Sequence, residues 1–253
     1  LRILADWGGE LEVTADADHF DATLARLVDQ IGERTAKLTV ESVALDDGIL
    51  TANLRVATLT GHKFPTGFPS RRAWLHVTVT DGAGEVLWES GARNADGTIS
   101  GNAADADPAA FEPHYDVITQ PDQVQIYEPI MGDHEGQVTY TLLQAAQYLK
   151  DNRLLPAGAE MAALPPEIAV YGEAAGDANF AGGSDLVAYR LEVGETTGPF
   201  TVSAELLYES LSYRFVMDML ADETELTERF GRYYREMDRA PLVVMAIEPV
   251  TVR

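Results

Sequence analysis

The feature that most constrains this chain is a period of two in its apolar residues, repeated in several well-separated runs. Leu50, Ala52, Leu54 and Val56 alternate with Thr51, Asn53 and Arg55, and Ala73, Leu75, Val77 and Val79 alternate with Trp74, His76, Thr78 and Thr80. Val187, Tyr189, Leu191 and Val193 repeat the pattern, as do Val202, Ala204, Leu206 and Tyr208. Side chains alternate faces along a strand, so each run offers one apolar face to a core. Asp46-Asp47-Gly48 and Asp81-Gly82-Ala83-Gly84 read as hairpin turns, which makes residues 38–45, 50–56, 74–80 and 85–89 a four-strand meander. Spaced strands separated by turns predict a mainly β fold, an antiparallel β-sandwich.

Helical spacing is clearest at the two ends, with residues 137–149 moving from strand into a short helical or extended-loop run. Residues 16–33 place Phe20, Leu24, Leu27, Val28 and Ile31 on one stripe, which predicts an amphipathic helix packed on a core. Residues 213–220 and 224–237 are also helical in pattern, the second carrying Leu226, Phe230, Tyr233 and Tyr234, and Pro241 stops it before a closing strand at 242–247. The expected organisation is an N-terminal helical segment over 1–36 linking to an upstream module, followed by a β-sandwich over 37–253 with a helical insertion near 213–238. Residues 92–113, rich in Gly, Ala, Asn and Asp, have little periodicity and read as a long excursion, a length unusual in a loop without a role.

Charge narrows the partners. The formal net charge is -23, so binding nucleic acid would set the chain against the phosphates instead of gaining from counterion release. Anionic membrane surfaces are excluded on the same ground, and no run of about 18 apolar residues exists to insert into a bilayer. The chain has no cysteine, which removes disulfides, thiolate metal sites, a Cys nucleophile and covalent haem attachment through Cys-x-x-Cys-His. It begins at Leu1 without a signal-peptide pattern, as expected of a processed protein or a piece of a longer one.

No Gly-x-Ser-x-Gly elbow, phosphate-binding glycine fingerprint or His-Glu-x-x-His is present, so no catalytic residue is assigned. The chemistry falls to histidines and carboxylates. Residues 59–81 gather His62, His76, Trp74 and an Arg pair around the start of one strand, with His62 on a Pro-Gly loop. His114 sits between Glu112 and Asp116 just after the long excursion, and carboxylates beside an imidazole can fix its tautomer for metal ligation. His62, His76 and His114 are therefore the candidate ligands for a metal or haem iron, whereas His19 lies in the N-terminal helix and His134 in a turn. Asp105, Asp107, Asp177 and Asp185 fall in acid clusters suited to calcium, without the spacing of an EF-hand loop.

Four stretches add a resemblance. The run from Thr60 through His62, Phe64-Pro65, Arg71-Arg72 and Trp74-Leu75-His76 to Val77 resembles a signature of the cysteine-free, C-terminal β-rich region found in many bacterial multihaem c-type cytochromes. Residues 112–118, 123–133 and 149–156 resemble further stretches of the same region in the same order. The resemblance covers roughly 37–253 and implies a non-catalytic accessory domain in periplasmic or cell-surface electron transfer. The haem c would then be carried by upstream sequence or a partner chain. It implies either that His62 or His114 supplies an axial ligand while Trp74 packs on a porphyrin edge, or that the domain covers the haem module and mediates assembly. Trp74-Leu75-His76 also resembles the Trp-x-His element of surface copper-binding proteins, which makes copper an alternative cofactor. A haem-free assembly or adhesion sandwich is the third reading.

Overall fold

The structure is a computed structural model describing residues 1–194, 196–237 and 239–253, so position 238, the expected end of the C-terminal insertion, lies outside the described residues. Two helices open the chain, α1 (Arg2–Asp6) and α2 (Ala17–Arg34). Strands β1 (Ala36–Asp46), β2 (Ile49–Thr58), β3 (Arg72–Thr80) and β4 (Val86–Ser90) follow, then the short α3 (Ala103–Ala106). The middle holds β5 (Val117–Ile118), β6 (Ile126–Tyr127), β7 (Pro129–Gly132), β8 (Val138–Thr139) and β9 (Gln147–Asp151). The last part comprises β10 (Ser184–Glu192), β11 (Phe200–Glu209), α4 (Tyr213–Leu220), α5 (Glu225–Glu236), β12 (Leu242–Ala246) and β13 (Val250–Val252).

These strands build a mainly β protein in which, among the described residues, the strand pairings are antiparallel except that β10 runs parallel to β5. One sheet has the order β1-β2-β10-β5; the other has β12-β11-β3-β4, with β13 also on β11 and β6 also on β3. The alternation read from the sequence is the reason the two sheets face each other. Leu50, Leu54 and Val56 from β2 and Val187 and Tyr189 from β10 join Leu75, Val77 and Val79 from β3 and Val202 and Leu206 from β11 in one buried cluster. Each such aliphatic side chain removed from water contributes about 1.5–3 kcal/mol.

The expected four-strand meander is corrected. β1 and β2 pair in the first sheet and β3 and β4 in the second, so residues 59–71 cross between sheets instead of closing a hairpin. Hairpin signals at 46–48 and 81–84 are local and survive; what local turns cannot encode is that two apolar faces must oppose each other to be buried. The N-terminal helix also differs from expectation. None of its residues is buried, Leu27 and Val28 remain 43% and 50% exposed, and only Ile31 of its stripe packs against the core. The helix lies against β12, and α1 reaches the C-terminal helices through Trp7, whose ring lies 4.9 Å from that of Tyr233. Among the described residues no helix is long and apolar enough to cross a membrane.

A third, small sheet of β8-β7-β9 leads into 149–156, and this stretch ties the fold together with buried charge. Lys150, Asp151 and Asn152 are all 0% exposed. The Lys150 ammonium donates to Ile126 O at 2.9 Å and to Glu128 at 3.2 Å. Asp151 accepts from Lys63 at 2.7 Å and from both Nε and a terminal nitrogen of Arg153 at 2.8 and 2.7 Å. Leu154 exchanges both backbone hydrogen bonds with Phe64, at 2.8 and 2.9 Å. The crossing loop is thereby fastened to the third sheet.

Removing one member of such a buried arrangement strands the other charges away from water. Asp151→Ala is expected to destabilise the protein by about 3–5 kcal/mol, because Lys63 and Arg153 lose their shared carboxylate. Denaturant unfolding checks this, and a midpoint unchanged from wild type would contradict it.

Candidate functional site

The residues with most chemistry converge where 112–118, 123–128, 149–156 and β10 meet. β10 turns Asp185, Val187, Tyr189 and Leu191 inward together, so Asp185 is a carboxylate in an otherwise apolar row and is 0% exposed. Its Oδ2 accepts the Tyr127 hydroxyl at 2.7 Å and the Gln125 amide at 3.0 Å, while its Oδ1 is buried without a hydrogen-bond partner. Opposite lies His114, whose Nε2 is 3.1 Å from Asp177 Oδ2 and 3.8 Å from Asp185 Oδ1. One ligating atom each from His114, Asp177 and Asp185 falls within 4.8 Å of the others.

The far side of the ring decides what this trio can hold. His114 Nδ1 faces the amide nitrogens of Gln125 at 2.8 Å and Asn152 at 3.2 Å. Both amides are oriented by backbone: Gln125 Oε1 accepts the Tyr115 N–H at 2.9 Å, and Asn152 Oδ1 accepts the Glu128 N–H at 3.0 Å. Nδ1 is thus an acceptor, and the ring proton sits on Nε2, pointing at Asp177. A metal-bound imidazole ordinarily donates through its other nitrogen. Here a cation entering at Nε2 must displace a proton and reverse two anchored amides, so the hydrogen bonds favour a proton held between imidazole and carboxylates.

Burial raises the Asp185 carboxyl above the ordinary carboxylate range, against the opposing pull of the His114 ring and the Tyr127 hydroxyl and with an added push from Asp177. Two members of the trio, His114 and Asp177, line a cleft of about 700 Å³ together with Asp116, Glu173 and Asn179, while Asp185 lies buried behind them. Asp177 is held at the cleft by the Asn179 N–H at 2.8 Å, and Asn179 in turn donates to Asp116 at 2.6 Å.

The other expected site residues are dispersed. Trp74 is fully buried beneath the 92–126 segment with Ile99, Val124, Ile126 and Leu207, and its indole N–H donates to Gly91 O at 2.9 Å. Neither face of the ring is available to a porphyrin edge, which corrects that expectation. Gly91 makes this closeness possible: at φ 77° a Cβ there would stand 2.3 Å from Leu75 O. His76 does share the outward face with Trp74, but its nitrogens lie 2.8 Å from Glu89 and 3.4 Å from Glu205, and neither it nor Trp74 belongs to the group around His114. His62 is exposed on the crossing loop.

The acid clusters also separate. Asp105 is spent on Arg72, at 3.1 and 3.2 Å, and on the Ile99 N–H at 2.8 Å; Asp107 caps the turn at Ala109 from the surface. This corrects the pairing of those two as a calcium site. Asp177 and Asp185 do meet, both at His114 Nε2. The expected neighbours of His114 are replaced as well, since Glu112 accepts from Ala103 N and the Tyr115 hydroxyl while Asp116 binds Asn179. Gln125, Tyr127 and Asn152 were not singled out by sequence reasoning, although Gln125 between Val124 and Ile126 is a polar residue in an apolar run.

A group whose folded pKa is raised contributes stability that is fully present below its unfolded pKa and lost as pH rises through the folded value. The stability of the wild type relative to Asp185→Asn is therefore expected to fall as pH rises from about 4 through that raised value. Unfolding of both proteins across a pH series measures it, and a difference independent of pH would contradict it.

No family model matches the sequence, and no curated protein matches it. Among solved structures, the fold is similar to part of a penta-heme cytochrome c552 from Thermochromatium tepidum, with a TM-score of 0.51 and 16% identity over 89% of this chain and 41% of that one. The chain spans about two fifths of that cytochrome's length, and at this identity the likeness shows the shared fold.

Proposed function

We propose that this chain is a non-catalytic accessory domain of a multihaem cytochrome, active in periplasmic or cell-surface electron transfer, with its haems carried by upstream sequence or by a partner chain. The observation that carries this is the fold likeness: nearly the whole chain, 89% of it, lies along 41% of a cytochrome described as penta-heme. A chain without cysteine can form no thioether to a c-type haem, so a counterpart of it within a cytochrome contributes protein surface and ligands in place of haem attachment. The four motif stretches that suggest the same kinship are also the stretches that interlock in the structure, through Lys63 with Asp151, Gln125 and Asn152 with His114, and Glu128 with Lys150.

The role suited to such a domain is to cover haem and exclude water from it, since burial and axial ligation are the protein's levers on a haem potential. The excess of negative charge adds a field that favours oxidised, more positive iron in whatever module it faces.

Peptide mapping of the protein isolated from its native host tests this. Cys-x-x-Cys-His peptides bearing covalent haem are expected either in the same polypeptide as residues 1–253 or in a chain that copurifies with it stoichiometrically. Isolation of the chain with no haem-bearing peptide in its polypeptide or its complexes would overturn the proposal.

A further inference from the structure

We infer that His62 is the residue through which this domain ligates a haem iron of the module it serves, an inference that rests on the accessory-domain reading above. Its ring is the one prepared for that bond. His62 Nδ1 lies 2.9 Å from the carbonyl oxygen of Lys63, and a carbonyl can only accept, so Nδ1 carries the proton and Nε2 bears the lone pair. Nε2 has no partner among the described residues, and the residue is exposed. An imidazole donating from one nitrogen to a backbone carbonyl, with the other nitrogen bare, is the arrangement that orients metal-ligating histidines and raises their basicity.

The loop beneath it is held firmly. The Thr60 hydroxyl donates to His62 O at 2.8 Å, and the Lys63 ammonium is anchored to Asp151 at 2.7 Å and to Ala169 O at 2.9 Å. Phe64 is bonded to Leu154 on both sides of its peptide. A ligand on a braced loop loses little freedom when it binds. The same stretch leaves Leu59 and Phe68 46% and 48% exposed, apolar surface suited to the edge of a macrocycle or the protein around it.

The remaining histidines are not so placed. Both nitrogens of His114 are engaged inside the domain and its side chain is 1% exposed. Both nitrogens of His76 face carboxylates. His19 and His134 are exposed, and among the described residues no hydrogen bond fixes either ring.

The bond proposed is donation of the Nε2 lone pair to iron, with no proton released. It is tested on the full haem-bearing protein, produced in its native host, by absorption and electron paramagnetic resonance. In His62→Gly, one haem's share of the low-spin signal is expected to become high-spin, and added imidazole is expected to restore it; His19→Ala is expected to leave the spectrum unchanged. If the protein carries haem and His62→Gly keeps every low-spin signal, His62 is not a ligand, while the accessory role stands. If no haem accompanies the chain at all, both fall.

Discussion

The fold depends on satisfying polar groups that have been taken out of water. Lys150, Asp151, Asn152, Gln125, Asp185 and His114 are all buried, and each isolated would cost several kcal/mol. Together they form a connected set in which nearly every donor meets an acceptor, and the segments that supply them are far apart in the chain. Because a half-satisfied network is worse than none, the crossing loop, the third sheet and β10 must all be in place for any one of them to be stable. Arg72 performs the same task on the outer face of β3. Buried at 1% exposure, it pairs with Asp105 and Glu209, and so fastens the long 92–113 excursion to the sheet that it covers.

This architecture separates two kinds of histidine. His114 is part of the scaffold's hydrogen bonding, its tautomer dictated by two amides that are themselves set by backbone N–H groups. His62 stands outside the scaffold, on a loop whose anchor points lie on either side of it. The protein thus spends one imidazole on internal order and leaves another with a bare nitrogen toward its surroundings. The 92–126 segment covers only the start of the outward face of β3, at Arg72 and Trp74, and leaves His76 partly exposed between two carboxylates.

Much of this was legible in the chain itself. Period-two alternation located β2, β3, β10 and β11 and their inward residues, because strand geometry is local and the apolar faces are long. The distribution of strands between sheets was not legible: Asp46-Asp47-Gly48 and Asp81-Gly82-Ala83-Gly84 specify hairpins, but nothing near them specifies which sheet a hairpin joins. For the site, His114, Asp177 and Asp185 were each candidates, yet the sequence offered Glu112 and Asp116 as the imidazole's neighbours. The true partners come from 63 and 71 residues away, and proximity of that kind is created only by packing. One clue was available, since Asp185 has the same parity as Val187, Tyr189 and Leu191 and so had to point inward. Trp74 misled because alternation places it opposite the core without revealing that the excursion covers it.

The most direct test of the account is the absorption spectrum of the intact native protein together with its mass. A Soret band that survives denaturation and copurifies with residues 1–253, in a polypeptide or complex heavier than this chain alone, is the expected result. A haem-free species of this chain's own mass, carrying stoichiometric copper or no metal, would contradict it.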